Sequence, residues 1–399
     1  MILRRFNRYI VWEITKLFLI TLLGFTTIVT VVGVVQQLVT QGLGPWAIVQ
    51  LTPYVLPISL QFALPGTLLF AVCSVYGRIA ADNEIMAVAA VGVPPIRIIT
   101  PVLILSLLLS LVAVWLNDIA FSWGRPGINR VIMHSIERVV YGVLSTQGSY
   151  STPQGFSIHV HGIGPDGRTL LSPTITTTPS DGNEPISISA RSARLAMDPE
   201  NEVLRIELVD SIIESSNLSS VMPGPAEYEV SLSRATRKGT SSGHPSEFPM
   251  RRIRQEVSEE QDRIAQAREI LAAHTAMGLA GGRPDWLVDA EASRRVSEIE
   301  GGAVRIHRLQ AEPWRRWSNG FSCFFFAWVG IPLAIRLRTA DHWTSFGACF
   351  VPILLIYYPI FMVGADHAKD GSWHPATLWL GNAALACIGA LLLRSIHRR

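Results

Sequence analysis

The chain alternates between long stretches without Asp, Glu, Lys or Arg and stretches crowded with them. The first charge-free stretch runs from Leu17 to Gly77, 61 residues. A helix needs roughly 20 apolar residues to cross a bilayer, so this stretch predicts two spans. Gln41-Gly42-Leu43-Gly44-Pro45 is their natural break, because Gly and Pro end helices. Further charge-free stretches cover Ile98 to Asn117, Trp317 to Ile335, His342 to Ala365 and Gly371 to Leu393. The pattern predicts six spans, three before a polar middle and three after it. The first apolar stretch is too long for a cleavable signal sequence and is expected to remain as an anchor.

The polar middle has two textures. From about residue 144 to 248 it is rich in Ser, Thr, Gly and Pro, with short alternating runs. Phe156, Ile158 and Val160 alternate with polar neighbours. So do Ile186 and Ile188, Val203 to Val209, and Tyr228 to Leu232. Period-two alternation between turn signals predicts an all-β sandwich or roll. From Arg251 to Glu312 the chain turns to Arg, Glu, Gln and Ala, and Gly278 to Pro284 divides it into two helical halves. These predict a charged helical hairpin, or extended helices leading into the fourth span, with a solvated, salt-bridged surface. The expected organisation is residues 1–117 with spans one to three and a short loop helix near 80–92, 118–250 as the β-domain, 251–316 as a charged helical insert, and 317–399 with spans four to six.

Composition agrees. Charged residues are 16% of the chain and hydrophobic residues 49%, against about 25% charged in soluble domains. The net charge of +3 gives no reason to expect a nucleic-acid partner. Its distribution sets an orientation. Arg4, Arg5 and Arg8 precede span one, Arg78 and Arg97 bracket the loop after span two, Arg336 and Arg338 follow span four, and Arg394, Arg398 and Arg399 close the chain. The alternate short loops carry only Lys369. Both termini are therefore expected in the cytoplasm, and the large middle segment on the far side of the membrane.

Motif chemistry is sparse. The three lysines are Lys16, Lys238 and Lys369, and none follows a Gly-rich loop. A phosphate-binding loop needs that lysine, so ATP hydrolysis by this chain is not expected. No cofactor is implied. Cys73, Cys323, Cys349 and Cys387 lie in apolar runs and read as membrane-buried small hydrophobes. His159 and His161 have same-face spacing on a strand, but two ligands without a third make a surface pair the simpler reading. Asp366-His367 reads as a polar cap at the outer end of span five, and Glu13 and Lys16, three apart on the first helix, read as a snorkelling pair. Gln36 and Gln37 are the most polar pair in span one. They suit either a polar lipid headgroup or a neighbouring helix.

The loop from Arg78 to Pro94, RIAADNEIMAVAAVGVP, is the most informative stretch. Asp82 or Asn83 can cap a helix with Glu84 in its first turn, and Gly92 then Pro94 stop it. A short amphipathic helix between two spans suits docking onto a soluble partner. It equally suits a helix lying on the membrane surface.

Taken together, RIAADNEIMAVAAVGVPP, HRLQAEPWRRWSNGFSCFFFAWVGIPLAIRLR and LWLGNAALACIGALLL resemble the lipopolysaccharide-export permeases, the LptF/LptG (YjgP/YjgQ) family, and the resemblance runs nearly the whole length. It implies one transmembrane half of an ABC-type exporter in the inner membrane, paired with a second permease half. A cytoplasmic ATPase dimer would dock on the loop helices, with Arg78, Asp82, Glu84 and Gly92 in the coupling segment and Glu84 matching the family's coupling-helix glutamate. The outer domain would be a periplasmic β-jellyroll, passing lipid acyl chains to a periplasmic bridge of similar jellyrolls, and spans one and five would gate the cavity. Two features depart from the family. The outer end of span one carries Gln36 and Gln37 where members often carry Lys or Arg, and segment 251–312 is longer than usual. Competing readings are a subunit for another lipid or lipoprotein cargo, a membrane-anchored sensor or scaffold, and an integral-membrane enzyme.

Overall fold

The computed structural model describes residues 2–41, 46–132, 144, 148–151, 156–164, 169–177, 186–198, 203–215, 218–231, 244–283, 286, 289–339 and 341–397. The chain divides into two compact units. One comprises Met1–Gly33, Thr52–Pro126 and Gly243–Arg399, the other Val34–Leu51 and Gly127–Ser242.

The first unit is helical. The helices are α1 (Ile2–Gln41), α2 (Trp46–Ala81), α3 (Glu84–Ala90), α4 (Ile96–Ile119), α5 (Met250–Ala280), α6 (Ala290–Leu337), α7 (His342–Lys369) and α8 (Leu380–His397), of which residues 34–41 of α1 and 46–51 of α2 fall in the second unit. Among the described residues, six helical stretches are long and apolar enough to cross a membrane. They lie in α1, α2, α4, α6, α7 and α8, in the order the charge-free runs predict. Residues 42–45 of the expected first break lie outside the described residues, but α1 ends at Gln41 and α2 begins at Trp46.

Helix ends depart from the charge pattern in two places. The helix of span three passes Asp118, widens into a π-turn at Ala120–Gly124 and continues to Ile132. Span four starts no new helix at Trp317. It is the second half of α6, a continuous helix of 48 residues. At 1.5 Å per residue this is about 72 Å, longer than a bilayer core of about 30 Å. Charge fixes where a helix leaves lipid, not where its hydrogen bonds stop.

Helix α6 packs against α4, α5, α7 and α8, and small residues set the distances. A Cβ on Gly320 would lie 2.8 Å from the Val114 nitrogen, one on Gly330 would meet Leu69, and one on Gly389 would meet Trp328. Such close approach is how helices associate in lipid. A buried cluster including Ile10, Ile14, Leu68, Val72, Tyr76, Ile98, Ala327 and Ile353 joins the spans. Polar ties reinforce it. Asn382 donates to the Ser318 carbonyl (2.9 Å), the Ser318 hydroxyl donates to the Leu378 carbonyl (2.6 Å), and Asn319 donates to Asn117 (3.2 Å). Cys73, Cys323 and Cys349 are buried as expected, whereas Cys387 is exposed on the outer side of α8.

The predicted division of the charged segment appears as the α5–α6 pair, with Gly282 (φ +67°) in the turn. Its surface is salt-bridged, but not all of its charges are solvated as expected. Glu260 is buried between Arg263 (3.1 Å) and Arg305 (3.4 Å), because close packing at Gly302 against Ile264 brings the helices together there.

Among the described residues, the second unit holds an eight-stranded antiparallel sheet. Its strands are β1 (Ser149–Ser151), β2 (Phe156–His159), β3 (Gly162–Ile163), β4 (Thr169–Leu171), β5 (Thr174–Thr177), β6 (Ile186–Asp198), β7 (Val203–Ser215) and β8 (Leu218–Ser231). β4 and β5 line the same edge of β6 as halves of one strand broken at Ser172-Pro173. Ile158, Ile175, Ile188 and Ile213 stand in register across four strands, and with Leu170, Ile206 and Leu208 they form one apolar face. Leu208 and Ile213 are an odd number apart, so they share that face only through the bulge at Asp210 (φ 51°), whose carboxylate accepts from Gly224 N at 2.9 Å. The roll alternative fits this one curled sheet. A sandwich would require a second sheet, and the described strands all belong to one.

Candidate docking loop and lipid-contact residues

The loop between spans two and three folds as the short helix α3, held on one side by the core. Ile85 is buried and joins the cluster of Ile79, Ile98 and Ile99, and Val88 packs against it. Glu84, Met86 and Val91 remain exposed. The loop therefore presents an acidic residue and apolar side chains outward while its inner face is fixed.

The predicted cap is not formed. Asn83 occupies the N-cap position in the left-handed conformation (φ 60°, ψ 15°) and makes no side-chain cap bond. Asp82 closes the end of α2 instead, its amide donating to the Arg78 carbonyl at 2.9 Å. Only two residues separate α2 from α3, and the left-handed Asn83 breaks the helical path between them. Asn tolerates the left-handed region better than most residues, and that turn replaces the cap. Gly92 ends the helix at φ +86°, where a side chain would be strained. Arg78 lies in the last turn of α2 and pairs with Glu13 of α1 at 2.5 Å. The expected Glu13–Lys16 pair does not form, because Glu13 turns inward to Arg78 while Lys16 lies over the Trp12 ring at 5.1 Å.

Gln36 is exposed and Gln37 half-buried near the end of α1, and each is engaged in an interaction. They fall in the second unit and the loop in the first. His159 and His161 are exposed on either side of buried Val160, and among the described residues no cluster of three His, Cys, Asp or Glu could hold a metal ion. Asp366 pairs weakly with Lys369 at 3.9 Å, and His367 stacks on Trp373.

A site that sequence reasoning missed surrounds Arg316. Its side chain is fully buried. It donates to Asp118 (2.5 Å) and to the carbonyls of Ser246 (2.9 Å) and Phe248 (2.8 Å), beneath the ring of Phe121. Asp118 also accepts from Met250 N at 3.0 Å. One guanidinium thus fixes the exit of span three, the approach to span four, and the segment leading into α5. A signal was present: Asp118 is the first charge after one apolar run and Arg316 the last before another.

Six long apolar helices around a shared buried cluster, with a separate sheet unit, define a polytopic membrane protein. Residues 8–395 match the family described as lipopolysaccharide export system permease LptF/LptG. The chain belongs to that family and is a permease component of lipopolysaccharide export, not an enzyme. No curated protein sequence matches it.

Proposed function

We propose that the chain is the transmembrane half of an ABC-type exporter in the inner membrane. Both termini face the cytoplasm and the sheet unit lies in the periplasm as a jellyroll-like domain. A cytoplasmic ATPase dimer docks on α3, a second permease half completes the cavity, and a periplasmic bridge of similar jellyrolls receives the lipid. The observation that carries this reading is the loop helix itself: Glu84 is exposed on a helix whose other face is locked into the core by Ile85. A docking element of this kind transmits force instead of merely binding.

The chemistry requires a separate energy source. Drawing acyl chains from a bilayer costs about 0.8 kcal/mol per exposed CH₂, and this chain lacks the lysine of a phosphate-binding loop. Outward-facing Leu19, Ile20, Leu23, Ile28 and Val32 of α1 suit an apolar cavity wall or lateral gate. The isoleucine ladder of the sheet suits acyl chains. With Gln36 and Gln37 in place of cations, charge-based headgroup binding falls to the second half, or the cargo is a related lipid.

The test is affinity purification in mild detergent with mass spectrometry of co-eluting proteins and lipids. An ABC ATPase and a second six-span subunit should elute with the protein, and Glu84→Arg should release the ATPase. Elution without an ATPase, or retention of it by Glu84→Arg, would leave the sensor or scaffold reading in its place.

A further inference from the structure

The first turns of α1 hold both ends of the docking loop. At its start, Glu13 pairs with Arg78 at 2.5 Å. At its end, the Asn7 amide donates to the Arg97 carbonyl at 3.2 Å. Ile10, between these two contacts, and Ile14, next to Glu13, are both fully buried and enter the same cluster as Ile79, Ile85, Ile98 and Ile99. The far side of the loop is closed by the Tyr76 hydroxyl donating to the Ile98 carbonyl at 3.0 Å. Asn7 Oδ1 and Glu13 Oε2 are buried without a hydrogen-bond partner among the described residues. These side chains are thus held against the loop and not simply solvated.

From this juxtaposition we infer that Asn7 and Glu13 are positioning residues: the amino-terminal third of α1 is a brace that sets the orientation of α3. Displacement of α3 is then carried into α1 through two polar contacts and a buried apolar seam. Over its next turns α1 exposes Leu19, Ile20 and Leu23, so loop movement reaches a helix free to move on its outer side. The inference rests on the docking reading only for the identity of what pushes on α3.

Hydrogen exchange of the full-length protein in detergent tests the brace without any partner. Glu13→Gln and Asn7→Ala should speed exchange of the amides at 85–92 by about three- to tenfold, the effect of losing a part-buried polar tie. Peptides of α8 should be unchanged, and Lys16→Gln should behave as wild type. Glu13→Arg should have a larger effect, and Glu13→Arg with Arg78→Glu should return exchange to within about twofold of wild type. Unchanged exchange at 85–92 in Glu13→Gln and Glu13→Arg overturns the inference. So does failure of the charge swap to restore protection while the α8 peptides remain native. The same variants are then scored for retention of the ATPase that elutes with the wild-type protein. Loss with Glu13→Arg and recovery with the swap supports transmission through the brace. If Glu84→Arg keeps the ATPase while exchange responds as expected, the docking reading fails and the brace stands.

Discussion

Replacing Arg316 with Met removes the most heavily committed charge in the molecule. Its side chain is fully buried, and its partner Asp118 is 25% exposed. The substitution deletes one charge-assisted bond to Asp118 and two bonds to the Ser246 and Phe248 carbonyls. Asp118 is left with Met250 N but no opposing guanidinium. Removing one partner of a buried ion pair costs about 3–5 kcal/mol, which lowers the melting temperature by roughly 5–15 °C. The neighbouring residue supplies the control. Arg315 is 24% exposed, and its partner Glu312 (2.6 Å) keeps Arg316 Nε at 3.8 Å, so Arg315→Met should cost less, about 1–2 kcal/mol. Arg316→Lys keeps the charge but not the planar fork, and should fall between them. Asp118→Leu with Arg316→Met should recover part of the loss, since two apolar groups leave no stranded charge at that pair; the remaining deficit belongs to Met250 N and to the Ser246 and Phe248 carbonyls, which lose their partners. Thermal unfolding of the purified protein followed by tryptophan fluorescence reads all of these. An Arg316→Met protein melting within about 2 °C of wild type, or no more damaged than Arg315→Met, would refute the reasoning.

Gly320→Ala should destabilise by about 1–3 kcal/mol, because the new methyl meets the Val114 backbone, whereas Gly24→Ala meets nothing within 4 Å and should be neutral or slightly stabilising; paired melting curves decide. Asn382→Ala removes two hydrogen bonds to Ser318 and should cost about 1–2 kcal/mol, given about 0.6 kcal/mol for an average interhelical bond in a membrane. Asp341 caps α7 by accepting from the Thr344 amide and hydroxyl, which hold its carboxyl below the ordinary value. Its stabilising effect is therefore present above the unfolded value, about pH 4, and is lost as pH falls through the lower folded value. Asp341→Ala should flatten the acid limb of a stability profile, and an unchanged limb would exclude the cap as its source.

The number and order of the apolar helices, and the strand texture of the middle segment, were legible in the sequence because lipid and water impose composition locally. A membrane-spanning stretch must exclude charge over its own length, and a half-buried strand must alternate. The short helix in the loop after span two was legible too, since Glu84, Gly92 and Pro94 act within a few residues of one another. Helix ends were not. Asp118 and Trp317 mark changes of solvent, yet the backbone stays helical through both because its hydrogen bonds are internal and indifferent to solvent. The cap at Asp82 or Asn83 does not form because the left-handed turn at Asn83 between α2 and α3 overrides a local preference. Partners of charges were beyond the sequence altogether. Glu13 meets Arg78 65 positions away, and Arg316 meets Asp118 198 positions away. Composition alone determined that this protein is a polytopic membrane protein with a β-rich unit. Only the tertiary structure decided which charges are solvated and which are buried ties, because the desolvation that gives a charge its structural weight depends on everything packed around it.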